Sequence, residues 1–210
     1  MQRTRRVGVM GGSFDPIHLG HVVTAEQARA DLDLDEVIFI PAGQPWQKER
    51  TVTAAEHRYL MTVLATAANP AFSVSRIEID RDGPTYTVDT LRMLADAVPD
   101  DRLVFITGAD AILSILTWKD TDECLKLAEF VAATRPGHDL GPLKESGLHD
   151  RVITFDVPAL AISSTDIRER FLRGHSVTYL IPREVEEYAS KHGLYGTTGG
   201  RVGSGNWWWA

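Results

Sequence analysis

A glycine-rich turn followed by two histidines is the first group of residues that could do chemistry. Gly11, Gly12 and Ser13 follow a short apolar segment, and His18 and His21 come a few residues later. In an open α/β sheet, the turn between a strand and the next helix is where backbone N–H groups bind phosphate. The two histidines are three residues apart and so share a helix face, where they could brace one phosphate. A histidine cation near a helix start is unfavourable unless an anion lies beside it, so the pattern predicts a bound anion.

A zinc site and a purely structural role are the alternatives for this histidine pair. Asp15, His18 and His21 could ligate a metal, although no cysteine–histidine cluster and no H-E-x-x-H pattern accompanies them. Both histidines could instead pack against or cap a helix. The chain contains neither the G-x-G-x-x-G dinucleotide pattern nor the G-x-x-x-x-G-K-[ST] pattern, so hydride transfer and P-loop hydrolysis lose their main sequence support.

Hydroxyl side chains and an arginine form a second potential anion site near the far end of the chain. Residues 162–168 read ISSTDIR, with Ser163 and Ser164 at a predicted helix start and Arg168 one turn later. Helical side chains lean toward the N-terminus, so Arg168 would bend back over the free N–H groups of that first turn. Ordinary N-capping beside a surface arginine is the alternative. Two helix starts of this kind could together hold both ends of a triphosphate.

Alternating strands and helices are predicted to position these residues. Extended segments are predicted over 5–10, 36–41, 72–80, 103–107, 130–134 and 152–155. Helices are predicted from 16 to about 30, from a capping box at 53–56, from near 87, from 163 to 174 and from 182 to 193. This alternation predicts a Rossmann-like, doubly wound parallel α/β sheet with helices on both faces and a small C-terminal helical part. We expect one domain over residues 1–195 and a disordered, glycine- and tryptophan-rich tail over 196–210.

The composition narrows the class of partner. The chain has 210 residues, 43% of them hydrophobic, and a formal net charge of -7. An acidic balance disfavours a long nucleic acid as the main partner, because binding a phosphate backbone needs a broad basic surface. No apolar stretch is long enough to span a bilayer and no secretory signal is evident, so we expect a cytoplasmic protein that binds no membrane. The single cysteine, Cys124, has no intrachain disulfide partner and is expected at an ordinary helix position.

The ordered pair of motifs resembles the nucleotidyltransferase superfamily of adenylyltransferases. GGSFDPIHLGH at 11–21 carries an H-x-G-H core, and ISSTDIR follows about 140 residues later. Within that superfamily, GPTYTVDTL at 83–91, TGAD at 107–110 and Trp118 resemble the bacterial nicotinate mononucleotide adenylyltransferase family. The likeness covers residues 5–195.

The resemblance implies a reaction and a role for each matching residue. AMP would pass from ATP to nicotinate mononucleotide, giving deamido-NAD and pyrophosphate, with Mg²⁺ bound through the substrate phosphates and no metal site in the protein. The implied catalytic residues are His18, His21 and Arg168. The implied ATP-binding residues are Gly11, Gly12, Ser13, Phe14, Gly20, Ile162, Ser163, Ser164 and Thr165. The implied residues for the pyridine nucleotide are Lys48, Thr85, Tyr86, Gly108, Asp110, Trp118 and Arg135.

Two of these implied roles fit the chemistry of the side chain. An indole offers a flat face to a pyridine ring, as Trp118 would, and a carboxylate accepts hydrogen bonds from two ribose hydroxyls, as Asp110 would. The structural alternatives are a half-buried core aromatic for Trp118 and a helix cap for Asp110. A homo-oligomer is left open by the sequence.

One loop departs from the family pattern. Where many relatives carry Pro-Pro-His-Lys, this chain has Pro45, Trp46, Gln47 and Lys48. Gln47 cannot carry a charge, and Trp46 could act as a bulky gate over the site. Phosphopantetheine adenylyltransferase shares both end motifs and is the alternative activity, and a non-catalytic nucleotide sensor is the alternative from another class of protein.

Overall fold

One parallel β-sheet organises the molecule. The computed structural model describes residues 3–44, 53–112, 118–134, 141–158 and 160–197, and only the backbone of residues 109, 110, 142 and 149. Within these ranges the strands are β1 (Arg6–Gly12), β2 (Glu36–Pro41), β3 (Phe72–Val74), β4 (Arg102–Gly108), β5 (Glu129–Thr134) and β6 (Val152–Asp156). Their order is β3-β2-β1-β4-β5-β6, and all neighbouring strands pair in parallel. The order reverses between β1 and β4, and ligands of open parallel sheets bind at such a switch point.

Helices connect successive strands and follow the last one. They are α1 (Leu19–Asp31), α2 (Ala55–Thr66), α3 (Thr87–Ala97), α4 (Ala109–Ile112), α5 (Thr121–Leu127), α6 (Gly141–Glu145), α7 (Ser164–Leu172) and α8 (Arg183–Lys191). Single 3₁₀ turns lie at His149–Arg151 and Leu194–Gly196. Among the helices described here, none is both long enough and apolar enough to cross a membrane.

The sheet buries apolar side chains on both of its faces. Val9 belongs to one core and its neighbour Met10 to the other, because successive strand residues point to opposite faces. Helices α1, α2, α7 and α8 cover the Met10 face, and α3 and α5 cover the Val9 face. The predicted doubly wound α/β fold is confirmed. Cys124 lies buried in α5, as expected, and burial raises the pKa of its thiol to about 11.

The first helix starts later than the sequence predicts. It begins at Leu19 rather than at Pro16, with His18 as the N-cap residue in an extended conformation. The preceding Asp15–Pro16 peptide is cis. Asp15 does not cap the helix because its buried carboxylate accepts a hydrogen bond from the hydroxyl of Tyr195 at 2.8 Å. A contact 180 residues along the chain therefore outcompetes a local preference.

The predicted capping box of the second helix is also wrong. Ala54 is the N-cap residue of α2 and no side chain caps it. Glu56, the expected acidic partner in the box, accepts instead from Arg76 at 2.7 and 2.9 Å. The predicted extended segment 72–80 is a strand only as far as Val74, because residues 76–80 form a turn in which the Asp80 N–H donates to the Arg76 carbonyl.

Four other helix boundaries, in three helices, agree with the sequence. The third helix begins at Thr87, α7 follows Ser163 and ends shortly before Gly174, and α8 follows Pro182. Gly174 has a φ of 67°, the left-handed conformation that glycine adopts most easily after a helix. Residues 198–210, most of the predicted tail, lie outside the described residues.

Candidate active site

Two cavities open where β1 and β4 end. Met10 and Gly108 line one of them, and their neighbours Gly11 and Thr107 line the other. Because neighbouring strand residues point to opposite faces, the two cavities lie on opposite faces of the sheet edge. The larger, of about 420 Å³, is called here the histidine cleft, and its lining includes His18, Gly20, His21, Thr24, Ile162, Ser163 and Ser164. The smaller, of about 230 Å³, is called the tryptophan cavity, and its lining includes Glu78, Thr85, Tyr86, Thr90, Trp118 and Lys119.

The two histidines are stacked at the start of α1. Their ring centroids are 3.6 Å apart and the rings are inclined by 25°. The backbone N–H of His18 donates to Nδ1 of His21 at 3.2 Å. Since Nδ1 of His21 accepts, the neutral ring carries its proton on Nε2, where it can donate to a ligand. The ring of Phe14 packs edge-on against His21, with 5.1 Å between the centroids, and helps to fix its orientation.

His18 is neutral at pH 7 in the structure. Its residue is only 7% exposed, and burial lowers its pKa to about 4. His18 is the N-cap residue of α1 rather than a residue of its first turn, and its imidazole is kept neutral by burial. Within the described residues, its buried Nδ1 has no hydrogen-bond partner. A buried nitrogen of this kind is a natural contact for a ligand, since buried polar atoms are nearly always satisfied.

Gly20 creates the space that the His18 ring occupies. A Cβ atom at position 20 would lie 3.0 Å from Nδ1 and 3.1 Å from Cε1 of His18. Contacts this short would push the ring out of place. The glycine of the H-x-G-H motif is therefore favoured by the close approach of an imidazole and not by an unusual backbone conformation.

The start of α7 docks against the loop that carries the histidines. Ser163 caps α7 by accepting from the Asp166 N–H at 3.1 Å, and Ser164 donates to the carbonyl of Pro16 at 2.9 Å. Arg168 donates to the carbonyl of Asp15 at 2.7 Å. The structure thus brings the two motifs, remote in sequence, to one histidine cleft.

Arg168, implied as catalytic, and Thr165, implied as ATP-binding, are placed differently from His18 and Ser163. The guanidinium of Arg168 bonds to the Asp15 carbonyl and, at 3.0 Å, to the Thr165 hydroxyl. In the described part of the chain neither residue lines the histidine cleft. These hydrogen bonds therefore hold the loop that precedes His18 against α7, and both side chains lie beside the cleft rather than in its lining.

The glycine-rich turn faces the second cavity. Gly11, Gly12 and Ser13 line the tryptophan cavity rather than the histidine cleft, and Phe14 is buried in the core. Their backbone therefore forms a wall between the two cavities, with His18 and Gly20 on its other side.

Trp118 and Thr85 are held in place at the tryptophan cavity by neighbours on separate segments. Trp118 packs edge-on against Phe105 of β4, with 5.8 Å between the centroids and an angle of 80°. Thr85 is 7% exposed, and both its N–H and its hydroxyl donate to the carbonyl of Gln44 at 3.2 Å. Lys119 places its ammonium 4.8 Å from the centroid of the Tyr86 ring. An aromatic face, hydroxyls and a cation thus converge on one small cavity.

The comparison with known proteins agrees with this architecture. The family model described as "Cytidylyltransferase-like" matches residues 9–170. The chain belongs to the cytidylyltransferase-like family. A relative in Clavibacter michiganensis subsp. michiganensis is 63% identical over 191 residues, which are 90% of this chain and 94% of the relative. A relative in Streptomyces coelicolor is 58% identical over 188 residues, which are 89% and 98% of the two chains. Both are named "Probable nicotinate-nucleotide adenylyltransferase".

A solved structure supports the fold assignment. Plasmodium falciparum nicotinic acid mononucleotide adenylyltransferase, complexed with NaAD, superposes with a TM-score of 0.75 at 21% sequence identity. The match covers 91% of this chain and 97% of the other. The same fold therefore persists between this member of the cytidylyltransferase-like family and a protein with little sequence in common.

Sequence reasoning missed three polar residues near the tryptophan cavity of this family member. Glu78 and Lys119 line the cavity, and Arg58 is fully buried beside it with hydrogen bonds to the carbonyls of Ser13 and Gly43. The signal for Arg58 was available, since it lies one helical turn before Met61 on the buried face of α2. An arginine on a core face is unusual enough to indicate a role. No comparable pattern distinguished Glu78 or Lys119.

Several implied site residues cannot be placed. Lys48, Arg135, Trp46 and Gln47 lie outside the described residues. Asp110 has its backbone in α4, and its side chain is outside what is described. As for the zinc alternative, the described residues contain no group of three histidine, cysteine, aspartate or glutamate side chains that could hold a metal ion.

Proposed function

We propose that this chain transfers AMP from ATP to nicotinate mononucleotide, giving deamido-NAD and pyrophosphate. The observation that carries the proposal is the meeting of the His18 loop with the start of α7 in one cleft. A second cavity with Trp118 lies across the β1 and β4 ends, so each of two nucleotides has its own place. The names of relatives more than half identical to this chain support the same reaction.

The triphosphate of ATP is assigned to the histidine cleft. The N-terminal ends of α1 and α7 give that cleft a partial positive charge without any charged side chain. His21 offers a proton on Nε2, and Ser163 and Ser164 add polar groups at the opposite side. An arriving phosphate also favours the protonated form of His18, so nucleotide binding is expected to raise the pKa of that imidazole.

The pyridine nucleotide is assigned to the tryptophan cavity. Its ring would stack on Trp118, and its carboxylate would lie near Thr85 and Tyr86. The backbone of residues 11–13 between the cavities carries no large side chain, which lets the two nucleotides approach each other.

The reaction itself needs no nucleophile from the protein. A phosphate oxygen of nicotinate mononucleotide forms a bond to the α-phosphorus of ATP while the bond from that phosphorus to the bridging oxygen breaks and pyrophosphate leaves. A phosphate is already a capable nucleophile at pH 7, so the protein has to align the two nucleotides and stabilise the charge on the leaving group. Neutral imidazole N–H groups and helix N-termini suit that task, because they donate hydrogen bonds without needing to reorganise.

Mg²⁺ is proposed to be held by substrate phosphates and water. The proposal rests on the preference of Mg²⁺ for phosphate and water oxygens, of which the bound nucleotides supply several. When bound, it would neutralise charge on the phosphate oxygens. A reaction that consumes ATP also fits the cytoplasmic location that the sequence predicts.

Pyrophosphate release tests the proposal most directly. The protein is supplied with Mg-ATP and, in parallel, with nicotinate mononucleotide, its amide analogue or phosphopantetheine. We expect the fastest release with nicotinate mononucleotide, and faster release with the amide analogue would move the assignment to the other pyridine nucleotide. Release with phosphopantetheine alone would assign the alternative transferase activity, and ATP binding without release from any acceptor would indicate a nucleotide sensor.

A further inference from the structure

The loop after β2 passes between two ionisable side chains that are largely withdrawn from solvent. Gly43 lies two residues beyond the end of β2, and its carbonyl accepts from the Arg58 guanidinium at 3.1 Å. On the other side, the N–H of Gly43 interacts with the carboxylate of Glu78. Arg58 belongs to α2 and Glu78 follows β3, so one glycine links two separate elements.

Gly43 has no room for a side chain in this position. A Cβ atom there would lie 2.2 Å from the backbone carbonyl oxygen of Glu78. The backbone of Glu78 would have to move to accept any other residue. The approach of the two segments is therefore as close as a glycine permits, and a small shift of either one would disturb the other.

Arg58 fixes more than this one glycine. Its residue is 1% exposed, and its other hydrogen bonds go to the carbonyls of Ser13 and Thr53, both at 2.8 Å. Ser13 lies in the glycine-rich turn after β1, and Thr53 lies just before α2. One guanidinium thus joins three loop segments. A lysine could not do the same, because an ammonium lacks the planar fork of donors.

Glu78 connects the same glycine to the wall of the tryptophan cavity. Its carboxylate lines the cavity and accepts from the Thr90 hydroxyl at 2.7 Å. Burial raises the pKa of this carboxyl, while contacts with Thr90, Arg81, Thr85 and the Gly43 N–H oppose the rise. Burying a carboxylate costs free energy, which its hydrogen-bond donors offset, and removing one of these donors leaves part of that cost uncompensated.

Gln44, the residue after Gly43, contacts Thr85 directly. The carbonyl of Gln44 accepts from both the N–H and the hydroxyl of Thr85. Thr85 is one of the residues expected at the pyridine carboxylate. A path of direct contacts therefore runs from Arg58 through Gly43 and Gln44 to the acceptor side of the site.

We propose that Arg58 and Glu78 are positioning residues for the acceptor nucleotide, which hold the backbone of Gly43 between them and so fix the Thr85 wall of the tryptophan cavity. The inference rests on the proposed assignment of this cavity to nicotinate mononucleotide. It adds that two side chains outside the sequence motifs set the affinity for that substrate. Neither acts on the reacting phosphates.

A double-mutant cycle tests the inference. The variants are Arg58→Lys, Glu78→Gln and the two combined, and the measurements are kcat and KM for each substrate together with Tm. We expect each single change to raise KM for nicotinate mononucleotide about tenfold and to change KM for ATP less than about threefold. KM of the double variant for nicotinate mononucleotide should be no higher than that of the more impaired single variant, because either change alone releases the backbone of Gly43.

Thr66→Val is the matched control for lost stability. Thr66 is buried in the same helix as Arg58, and its hydroxyl bonds to the carbonyl of Thr62 within α2, away from both cavities. It should lower Tm without changing either KM. The inference is overturned if the single variants change KM for the acceptor no more than this control does, or if their effects multiply in the double variant.

Two further measurements keep the result decisive. Glu78→Gln preserves the size of the side chain, so it tests the inference even if Arg58→Lys fails to fold, and calorimetric binding of nicotinate mononucleotide to the folded variant then replaces kinetics. An affinity equal to that of the unmodified protein would overturn the inference. Failure of the proposed function is recognised separately, since the unmodified protein would then release no pyrophosphate with nicotinate mononucleotide.

Discussion

The histidine cleft and the tryptophan cavity are built in different ways. The functional side chains of the cleft come mainly from two short segments, 18–24 and 160–164. The wall of the tryptophan cavity combines residues of several separate segments. They include β1, the loop after β2, Glu78, residues 85–90 and residues 118–119. Two short motifs supply most of the cleft and meet through a few hydrogen bonds, whereas the cavity depends on buried polar contacts among several distant segments. Substitutions should therefore separate the two regions, with turnover affected in one and acceptor affinity in the other.

Loss of a cleft histidine should have the largest effect. His21→Ala removes an imidazole from the lining of the cleft, and we expect turnover to fall by roughly 10² to 10⁴ with a modest loss of stability. The turnover of His18→Ala should fall by a factor in the same range. Steady-state pyrophosphate release measures the effect, and thermal unfolding checks that the variants are folded. Near-normal turnover in either folded variant would remove the phosphate-binding role of that histidine.

Filling the space beside His18 should have the next largest effect. Gly20→Ala places a methyl group about 3 Å from the His18 ring and forces the ring to move. We expect turnover to fall about a hundredfold, because small displacements of aligned groups are costly in catalysis. Gly20 lies within α1, where alanine is a better helix former by about 1 kcal/mol, so stability should not fall in proportion. Unfolding in urea beside pyrophosphate release would show whether activity and stability separate in this way. Equal loss of both would mean that Gly20 serves only packing.

Removing the indole of Trp118 should weaken binding of the acceptor nucleotide and leave KM for ATP nearly unchanged. Stacking of a flat base on an aromatic side chain is worth about 1 to 3 kcal/mol, so Trp118→Ala should raise KM for nicotinate mononucleotide about thirtyfold. Trp118→Phe keeps a smaller aromatic face, so its KM for nicotinate mononucleotide should lie between those of the unmodified protein and Trp118→Ala. Initial rates at saturating ATP measure the change. A rise in KM for ATP of the same size would place Trp118 at the wrong nucleotide.

The difference between local and distant contacts explains how much the sequence could predict. The start of α7 was predictable because Ser163 caps it through a contact three residues away. The start of α1 was not, because the Asp15 carboxylate pairs with Tyr195 across the molecule. Strand alternation was enough for the doubly wound sheet and for the side on which ligands bind. Propensity and spacing describe local contacts, and they contain no information about which buried polar groups satisfy one another after folding.

The tryptophan cavity shows the same limit at its polar residues. Trp118 and Thr85 were identified only through resemblance to known enzymes, and Glu78 and Lys119 were not identified at all. Arg58 could have been noticed as a charge on a buried helix face, but nothing in the sequence specified its partners. Three of its hydrogen bonds go to backbone carbonyls, which every residue carries, so side-chain identity gives no clue to them.

Protonation of His18 gives the smallest expected effect, and it belongs to the histidine cleft alone. The pKa of His18 is about 4 in the folded protein, against about 6.5 when unfolded. Above pH 6.5 both states are mostly neutral. As the pH falls from 6.5 toward 4, the unfolded state binds the proton first, so stability is lost with falling pH. Between pH 7 and pH 5.5 this one group should remove about 1 kcal/mol of unfolding free energy.

The comparison with His18→Asn isolates that contribution, because all other titrating groups are common to both proteins. Asparagine is a favoured N-cap residue and does not titrate, so the variant should fold. Urea unfolding at pH 7 and pH 5.5 should show the unmodified protein losing about 1 kcal/mol more than the variant. A saturating ATP analogue should reduce the difference, since phosphate favours the protonated imidazole in the folded state. If the two proteins lost stability in parallel without nucleotide, His18 would not be held neutral by burial.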